Sequence, residues 1–186
     1  MRTALASILM AAATPLGAAQ AAMLVLGSGD ARACYEAAES RQQPAAGIAV
    51  CERALAGEAL SRRNRIATMV NLGVVRIWAQ QEARAIADFD AALALAPGLG
   101  EAKVNKAVAL VRLNQDRRLA IALLSDALKT GVSRPEVAHY ARAIAFELDG
   151  NAAAAWRDYR RAAELRPDWA EPARALERFT VVRGRA

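Results

Sequence analysis

A regular pattern of small and large residues is the feature that most constrains how this chain folds. Three times, at intervals of 35 residues, a small residue is followed four positions later by a large one and three positions after that by another small one. The three sets are Ala85, Phe89 and Ala92; Ala120, Leu124 and Ala127; and Ala155, Tyr159 and Ala162. Self-similarity at a fixed period of this length predicts a stack of repeated units.

The residues that precede these sets agree with a helical repeat. Asn71-Leu72-Gly73 is followed 34 residues later by Asn105-Lys106-Ala107, and Pro97 and Pro167 each close a unit. Beyond the N-terminal region, no stretch alternates apolar and polar residues as a half-buried strand would. The sequence therefore predicts helices and no strands.

The repeated residues resemble the tetratricopeptide repeat. That pattern has a leucine and a small residue in the first helix, then a small, a large and a small residue and a closing proline in the second. One unit matches through Leu72, Gly73, Ala85, Phe89, Ala92 and Pro97, and another through Ala143, Phe146, Ala155, Tyr159, Ala162 and Pro167. The unit between them departs from the pattern, with an extra residue near Asp116 to Leu119 and no closing proline at Val132.

The resemblance implies an all-α solenoid of about four antiparallel helix pairs, because one pair alone cannot bury its apolar face. Small residues such as Gly73 are expected where paired helices come closest. A single domain is expected over residues 22–186. Its repeat units are expected at about 28–61, 66–99, 100–135 and 136–169. A capping helix is expected over 168–182, with Trp169, Leu176 and Phe179 turned inward.

The N-terminus has the layout of a secretory signal peptide over residues 1–21. Met1 and Arg2 give a positive start, residues 4–16 are apolar, and Ala19-Gln20-Ala21 supplies small residues for cleavage near Ala21. We expect a periplasmic or secreted bacterial protein with no stable membrane insertion after cleavage. If the segment is retained, the uncharged span reaches the length of about 20 residues that crosses a bilayer, and the alternative is an inner-membrane anchor.

Cys34 and Cys51 are the only two cysteines in the sequence. Within the resemblance, Cys34 takes the slot of Leu72 and Cys51 the slot of Phe89, and these slots face each other across a helical hairpin. We expect the two residues to form a disulfide, which an oxidising compartment favours. A redox pair is a weaker interpretation because the Cys-x-x-Cys spacing is absent.

No arrangement of residues in the sequence indicates catalysis. A Ser-His-Asp triad or a metal site would depend on His139, the single histidine. Gly27-Ser28-Gly29 lacks the strand and the lysine of a phosphate-binding loop, and is interpreted as a lead into a first helix capped by Ser28 or Asp30. Asp88 and Asp90 are expected on an exposed helix face. We predict a non-enzymatic protein with no cofactor and no metal.

The resemblance places the binding surface on the concave face, which is lined by the first helix of each pair. The residues expected there are Val70, Asn71, Val74, Trp78, Val104, Asn105, Val108, Arg112, Tyr140, Ile144 and Leu148. The expected groove is mostly apolar with a few polar groups.

Asn71 and Asn105 hold equivalent positions on this face, one unit apart. In related repeats, asparagines at this position hydrogen-bond the backbone of an extended peptide, and each amide offers a donor and an acceptor. The alternative is that asparagine is merely common on helix surfaces. Some related repeats hold a C-terminal carboxylate with basic residues in the third unit, but Val137 and Ala141 stand there, so that mode is not expected.

The net charge is +6, with arginines clustered at positions that we expect at turns and outer helix faces. Export argues against nucleic acid as a partner, and no basic stripe is interleaved with aromatic residues. The sequence therefore predicts a periplasmic interaction module or adaptor that binds a peptide or protein partner of unknown identity. The alternatives are a membrane-tethered assembly factor and a chaperone-like accessory protein.

Overall fold

The structure is a computed structural model that describes residues 21–179. Within this part of the chain there are nine helices and no strand. They are α1 (Asp30–Ser40), α2 (Pro44–Gly57), α3 (Arg62–Trp78), α4 (Glu82–Leu95), α5 (Gly100–Arg112), α6 (Arg117–Thr130), α7 (Pro135–Leu148), α8 (Ala152–Leu165) and α9 (Ala170–Leu176). The predicted all-α solenoid fold is confirmed.

The helices form four hairpins that stack in chain order. Each helix packs on the next, and α1 also contacts α3, α3 contacts α5, and α5 contacts α7. The odd-numbered helices α1 to α7 therefore form one continuous layer, which we call the inner layer. Helices α2, α4, α6 and α8 form the outer layer, and α9 packs on α8 at the end of the stack.

Small residues permit the close approach of paired helices, as the repeat pattern predicted. A Cβ atom added to Gly73 on α3 would lie 2.5 Å from Cε1 of Phe89 on α4. Phe89 is fully buried, and so are Leu124 and Tyr159 in the same slot of the next two hairpins. Ala107 and Ala143, which hold the position of Gly73, are also fully buried.

The C-terminal capping helix is shorter than the predicted range of 168–182. Helix α9 begins at Ala170, because the backbone amide of Trp169 donates to the Arg166 carbonyl in a turn before it. It ends at Leu176, and residues 180–182 lie outside the described part of the chain. Trp169 is buried, with its ring centroid 4.7 Å from that of Tyr140. The predicted inward orientation of Trp169 is therefore confirmed.

Helix α1 is capped by a residue distant in sequence, and the predicted caps Ser28 and Asp30 are wrong. Gly29 is the N-cap residue, and the Glu58 carboxylate accepts hydrogen bonds from the backbone amides of Asp30 and Ala31. A carboxylate at this end also interacts favourably with the helix dipole. Gly29 has φ 98°, and a Cβ atom there would lie 2.6 Å from Glu58 Oε1, so glycine is required at this position.

Candidate functional site

The residues before α1 lie against the inner layer, and their backbone is bound by asparagine side chains. We call residues 21–26 the N-terminal segment. Asn71 Nδ2 on α3 donates to the Met23 carbonyl at 2.8 Å, and Asn71 Oδ1 accepts from the Met23 amide at 2.6 Å. One side-chain amide thus pairs with both main-chain groups of a single residue.

Two further asparagines hold the ends of the N-terminal segment. Asn105 Nδ2 on α5 donates to the Ala21 carbonyl at 3.1 Å, and Asn64 Nδ2 on α3 donates to the Leu26 carbonyl at 3.0 Å. Sequence reasoning missed Asn64. It lies seven residues before Asn71, about two helical turns away and on the same face, and this spacing was the signal that could have identified it.

From Met23 to Leu26, the side chains of the N-terminal segment alternate between the protein and the solvent. Val25 is 1% exposed, whereas its neighbours Leu24 and Leu26 are 48% and 58% exposed. Such a period of two is typical of an extended chain. Val25 packs in a cluster with Ala31, Ala54 and Ala67, and Met23 is partly buried. The segment therefore lies on the inner layer in extended form, held by main-chain hydrogen bonds and by alternate side chains.

Asn105 retains an unused acceptor. Its side chain is fully buried, and no donor within residues 21–179 reaches its Oδ1 atom. Asn71, at the equivalent position one unit earlier, uses both of its amide groups. A buried acceptor without a donor costs about 1–3 kcal/mol, so a backbone N–H supplied at this place would be favourable.

The other residues predicted for the concave face differ widely in exposure. Buried are Val70, Asn71, Val74, Val104, Asn105, Val108 and Tyr140; partly buried are Trp78, Arg112 and Ile144; and Leu148 is exposed. Ala22 and Met23 pack against the cluster that contains Val70 and Val74. The N-terminal segment therefore lies on the part of this face formed by α3, and its first residue, Ala21, reaches Asn105 on α5.

Trp78 and Arg112 are engaged by other residues of the chain. Trp78 Nε1 donates to the Ala38 carbonyl at 3.4 Å, and the Arg41 guanidinium lies 4.6 Å from the Trp78 ring centroid. Arg112 pairs with Glu82 at 2.8 Å. On α7, Ile144 and Leu148 remain at least partly accessible.

The same fold occurs in solved structures of MamA. A MamA structure from Desulfovibrio magneticus RS-1, spanning residue 41 to the end, has a TM-score of 0.64 and 18% identity, and the match covers 82% of this chain and 84% of that one. Another crystal structure of MamA has a TM-score of 0.63 and 15% identity, covering 77% and 80%. The chain therefore has the fold of these MamA structures, which is a helical solenoid. No protein-family model and no curated protein sequence matches it.

The predicted disulfide is confirmed. Cys34 on α1 and Cys51 on α2 are bonded, with their Cα atoms 4.7 Å apart. Both residues are fully buried in the cluster that also contains Val70, Val74 and Phe89. The bond joins the two helices of the first hairpin. It lies close to α3, since Cys34 Sγ is 3.9 Å from the Thr68 carbonyl on that helix.

Asp88 does not lie on an exposed helix face, so that expectation is wrong. Its side chain is 13% exposed and contacts Arg76 Nη1 through both oxygens, at 2.6 and 2.7 Å. Burial raises the pKa of Asp88 to about 6, although Arg76 opposes the rise. Arg76 also pairs with Glu52 on α2, so this charge cluster joins three helices. Asp90 is half exposed, as expected, and pairs with Lys106.

His139 lies in the seam between α7 and α8. Its Nδ1 atom is 2.8 Å from Asp158 Oδ1, and Arg142 binds both oxygens of the same carboxylate at 2.7 and 2.9 Å. Burial favours a higher pKa for Asp158, but the hydrogen bonds from Arg142 and His139 outweigh it and hold the pKa below its usual value. Ser125 Oγ accepts from Arg142 rather than bonding His139. The cluster thus joins α6, α7 and α8 as a structural ion-pair network.

Within residues 21–179 there is no group of three potential metal ligands, and no helix there is both long and apolar enough to cross a membrane. The predicted signal peptide lies almost wholly in residues 1–20, outside the described part of the chain.

Proposed function

We propose that the protein is a non-enzymatic interaction module whose inner layer binds an extended segment of a partner protein. The observation that carries this proposal is the pair of hydrogen bonds between Asn71 and the main chain of Met23. These hydrogen bonds involve only main-chain groups, so they favour an extended backbone rather than a particular side chain. It is the same physical device as strand addition in other peptide-binding proteins, with asparagine side chains in place of a strand edge.

Side-chain contacts supply the second part of the recognition. Val25 is buried among alanines of α1, α2 and α3, and Met23 packs against the apolar cluster beneath. Burying an aliphatic side chain of this kind stabilises by about 1.5–3 kcal/mol. An extended partner with apolar residues at alternate positions therefore fits the surface.

We further propose that the protein acts in the periplasm, after cleavage near Ala21. The leader-like composition of residues 1–21 supports export. The Cys34–Cys51 disulfide supports an oxidising compartment, because cytosolic thiols are generally kept reduced. A partner in the same compartment is then a secreted or membrane-anchored protein that exposes an extended segment.

Photo-crosslinking from matched positions tests which face binds the partner. Leu148 on the inner helix α7 and Leu119 on the outer helix α6 are 39% and 37% exposed. A photoreactive amino acid at Leu148 should crosslink a periplasmic partner in the native host, whereas the same group at Leu119 should not. Equal crosslinking from both positions, or crosslinking from Leu119 alone, contradicts binding on the inner face.

A further inference from the structure

The N-terminal segment has the geometry of a bound peptide, although it belongs to the same chain. Both amide groups of Asn71 are used by Met23, and neither is left for a second backbone at that place. Val25 fills the adjoining apolar site to 1% exposure. We propose that the N-terminal segment is an internal occupant of the peptide site and that a partner binds by displacing it. This inference rests on the proposed function.

The attachment of the segment allows it to leave without unfolding the helices. It is held by the three asparagines and by the burial of Val25, and it joins α1 through Gly27-Ser28-Gly29. Gly27 and Gly29 have φ of 113° and 98°, and a Cβ atom at Gly27 would meet nothing within 4 Å. Rotation at Gly27 can therefore lift the segment while Glu58 keeps the start of α1 capped.

The composition and direction of the N-terminal segment indicate which class of partner peptide could replace it. Its six residues are uncharged and apolar, its inward side chains Met23 and Val25 are two residues apart, and it runs from α5 across α3 towards α1. The partner class is therefore an extended, uncharged peptide with an aliphatic side chain at every second position, running in the same direction.

Asn105 has hydrogen-bonding capacity that the N-terminal segment leaves unused. Its Oδ1 atom is buried and lacks a donor within the described residues, so the backbone N–H of a partner satisfies it once the end of the segment has moved aside. In a chain that begins at Ala22, as the signal sequence predicts, Asn105 also loses the Ala21 carbonyl. Both amide groups of Asn105 are then free for the partner while Asn71 is still covered.

Occupancy by a tethered segment lowers the affinity for an outside peptide. A short flexible tether gives an effective concentration in the millimolar range, about 1 mM. The apparent dissociation constant of the partner rises by the inverse of the fraction of molecules in which the site is open. Release of the segment should therefore tighten peptide binding without altering any residue of the site.

Two substitutions that add the same charge at adjacent positions test this. Val25→Asp places a carboxylate in the apolar site and should release the segment, whereas Leu24→Asp adds it at a half-exposed position. The probe is a fluorescent peptide with the sequence of residues 21–28, measured by anisotropy with purified protein. V25D should bind it about tenfold or more tightly than wild type, and L24D should bind it like wild type. Circular dichroism checks that both variants remain helical.

Hydrogen exchange in the wild-type protein gives a second measurement that does not depend on a variant. The Met23 amide is bonded to Asn71 Oδ1, so it should exchange slowly in the free protein. Saturation with the probe peptide should accelerate exchange of the protein's Met23 amide by about tenfold or more, because displacement leaves this amide in water.

The outcomes separate the inference from the function on which it rests. If none of the three proteins binds the probe, the proposed peptide site is wrong and the inference falls with it. If all three bind equally while Met23 stays protected, the protein binds peptides but displacement is wrong. A concentration-dependent rise in molar mass with Met23 still protected would mean that the segment exchanges between two copies, which also overturns the inference.

Discussion

Asn71 pairs with both main-chain groups of Met23, its Nδ2 donating to the carbonyl at 2.8 Å and its Oδ1 accepting from the amide at 2.6 Å. The two residues are 48 positions apart in the sequence, and the contact ties the residues before the first hairpin to the second. A side chain that satisfies a whole residue of backbone is a peptide-binding device, here used within one chain.

Replacing Asn71 should cost more stability than replacing Asn105. Sequence reasoning gave both residues the same role, but Asn71 makes two hydrogen bonds to the chain and Asn105 makes one. N71A should lower the free energy of unfolding by about 1–3 kcal/mol, because buried main-chain groups lose their partners. N105A should cost less and should weaken the binding of the probe peptide. Equal losses in urea denaturation would contradict the asymmetry of the two positions.

Gly73 should be incompatible with a methyl group as long as Phe89 faces it. G73A gains about 1 kcal/mol of helix propensity, but the clash at Phe89 should outweigh this gain, since overpacking a core costs about 1–3 kcal/mol. G73A/F89L recreates the Ala107 and Leu124 combination of the next hairpin and should recover stability. A double-mutant cycle in urea should give a coupling of at least about 1 kcal/mol, and simple additivity would contradict the close approach.

The disulfide should stabilise the first hairpin. A loop of this size is expected to contribute about 3 kcal/mol on the chain-entropy account. Oxidised wild type should therefore melt well above the C34A/C51A variant, and reduced wild type should melt close to that variant. If reduction leaves the melting temperature of the wild type unchanged, the bond contributes nothing, and the loss in the variant comes from packing of the two buried side chains.

Asp158 should make stability depend on pH in a defined direction. Its pKa in the folded protein lies below the usual value, so the unfolded chain takes up the proton first as pH falls. The stability from Asp158 is present above about pH 4 and is lost as pH falls through the lowered pKa. D158N should cost about 2–4 kcal/mol at pH 7, because Arg142 loses its carboxylate partner. The difference from wild type should shrink below about pH 4; a constant difference would contradict the lowered pKa.

Export predicts the mass of the protein in its own host. Cleavage near Ala21 gives a mature chain that begins at Ala22, and intact-mass measurement of protein purified from the periplasm should find it. A chain that retains residues 1–21 and sediments with membranes would support the anchored alternative instead.

The small and large residues at the repeated positions were predictable because the spacing between paired helices determines them. A glycine or alanine opposite Phe89, Leu124 or Tyr159 is a local consequence of antiparallel packing, and the first hairpin brought Cys34 and Cys51 together by the same register. The small and large positions recur in successive hairpins, so a single sequence shows the same pattern several times.

The contacts that occur once were not predictable in this way. Glu58 caps α1, Asp88 pairs with Arg76, and Asn64 binds Leu26. Each of these contacts depends on a pairing that no periodicity encodes. Residues 22–26 were expected only as the start of the mature domain, with no contact assigned to them. Asn71 and Asn105 lie on the inner-layer helices α3 and α5, but the chain's own backbone as their ligand was not foreseen.

Backbone methylation of the probe peptide tests most directly that the inner layer reads an extended main chain through Asn71. Two versions of the residue 21–28 peptide are compared on the V25D protein, one methylated on the nitrogen of Met23 and one on that of Leu24. The Met23 amide donates to Asn71, whereas the Leu24 amide makes no hydrogen bond within residues 21–179. Methylation at Met23 should weaken binding by about tenfold or more, because one buried hydrogen bond is lost and Asn71 Oδ1 is left without a donor. Methylation at Leu24 should leave binding unchanged. Equal affinities for the two methylated peptides would contradict the account.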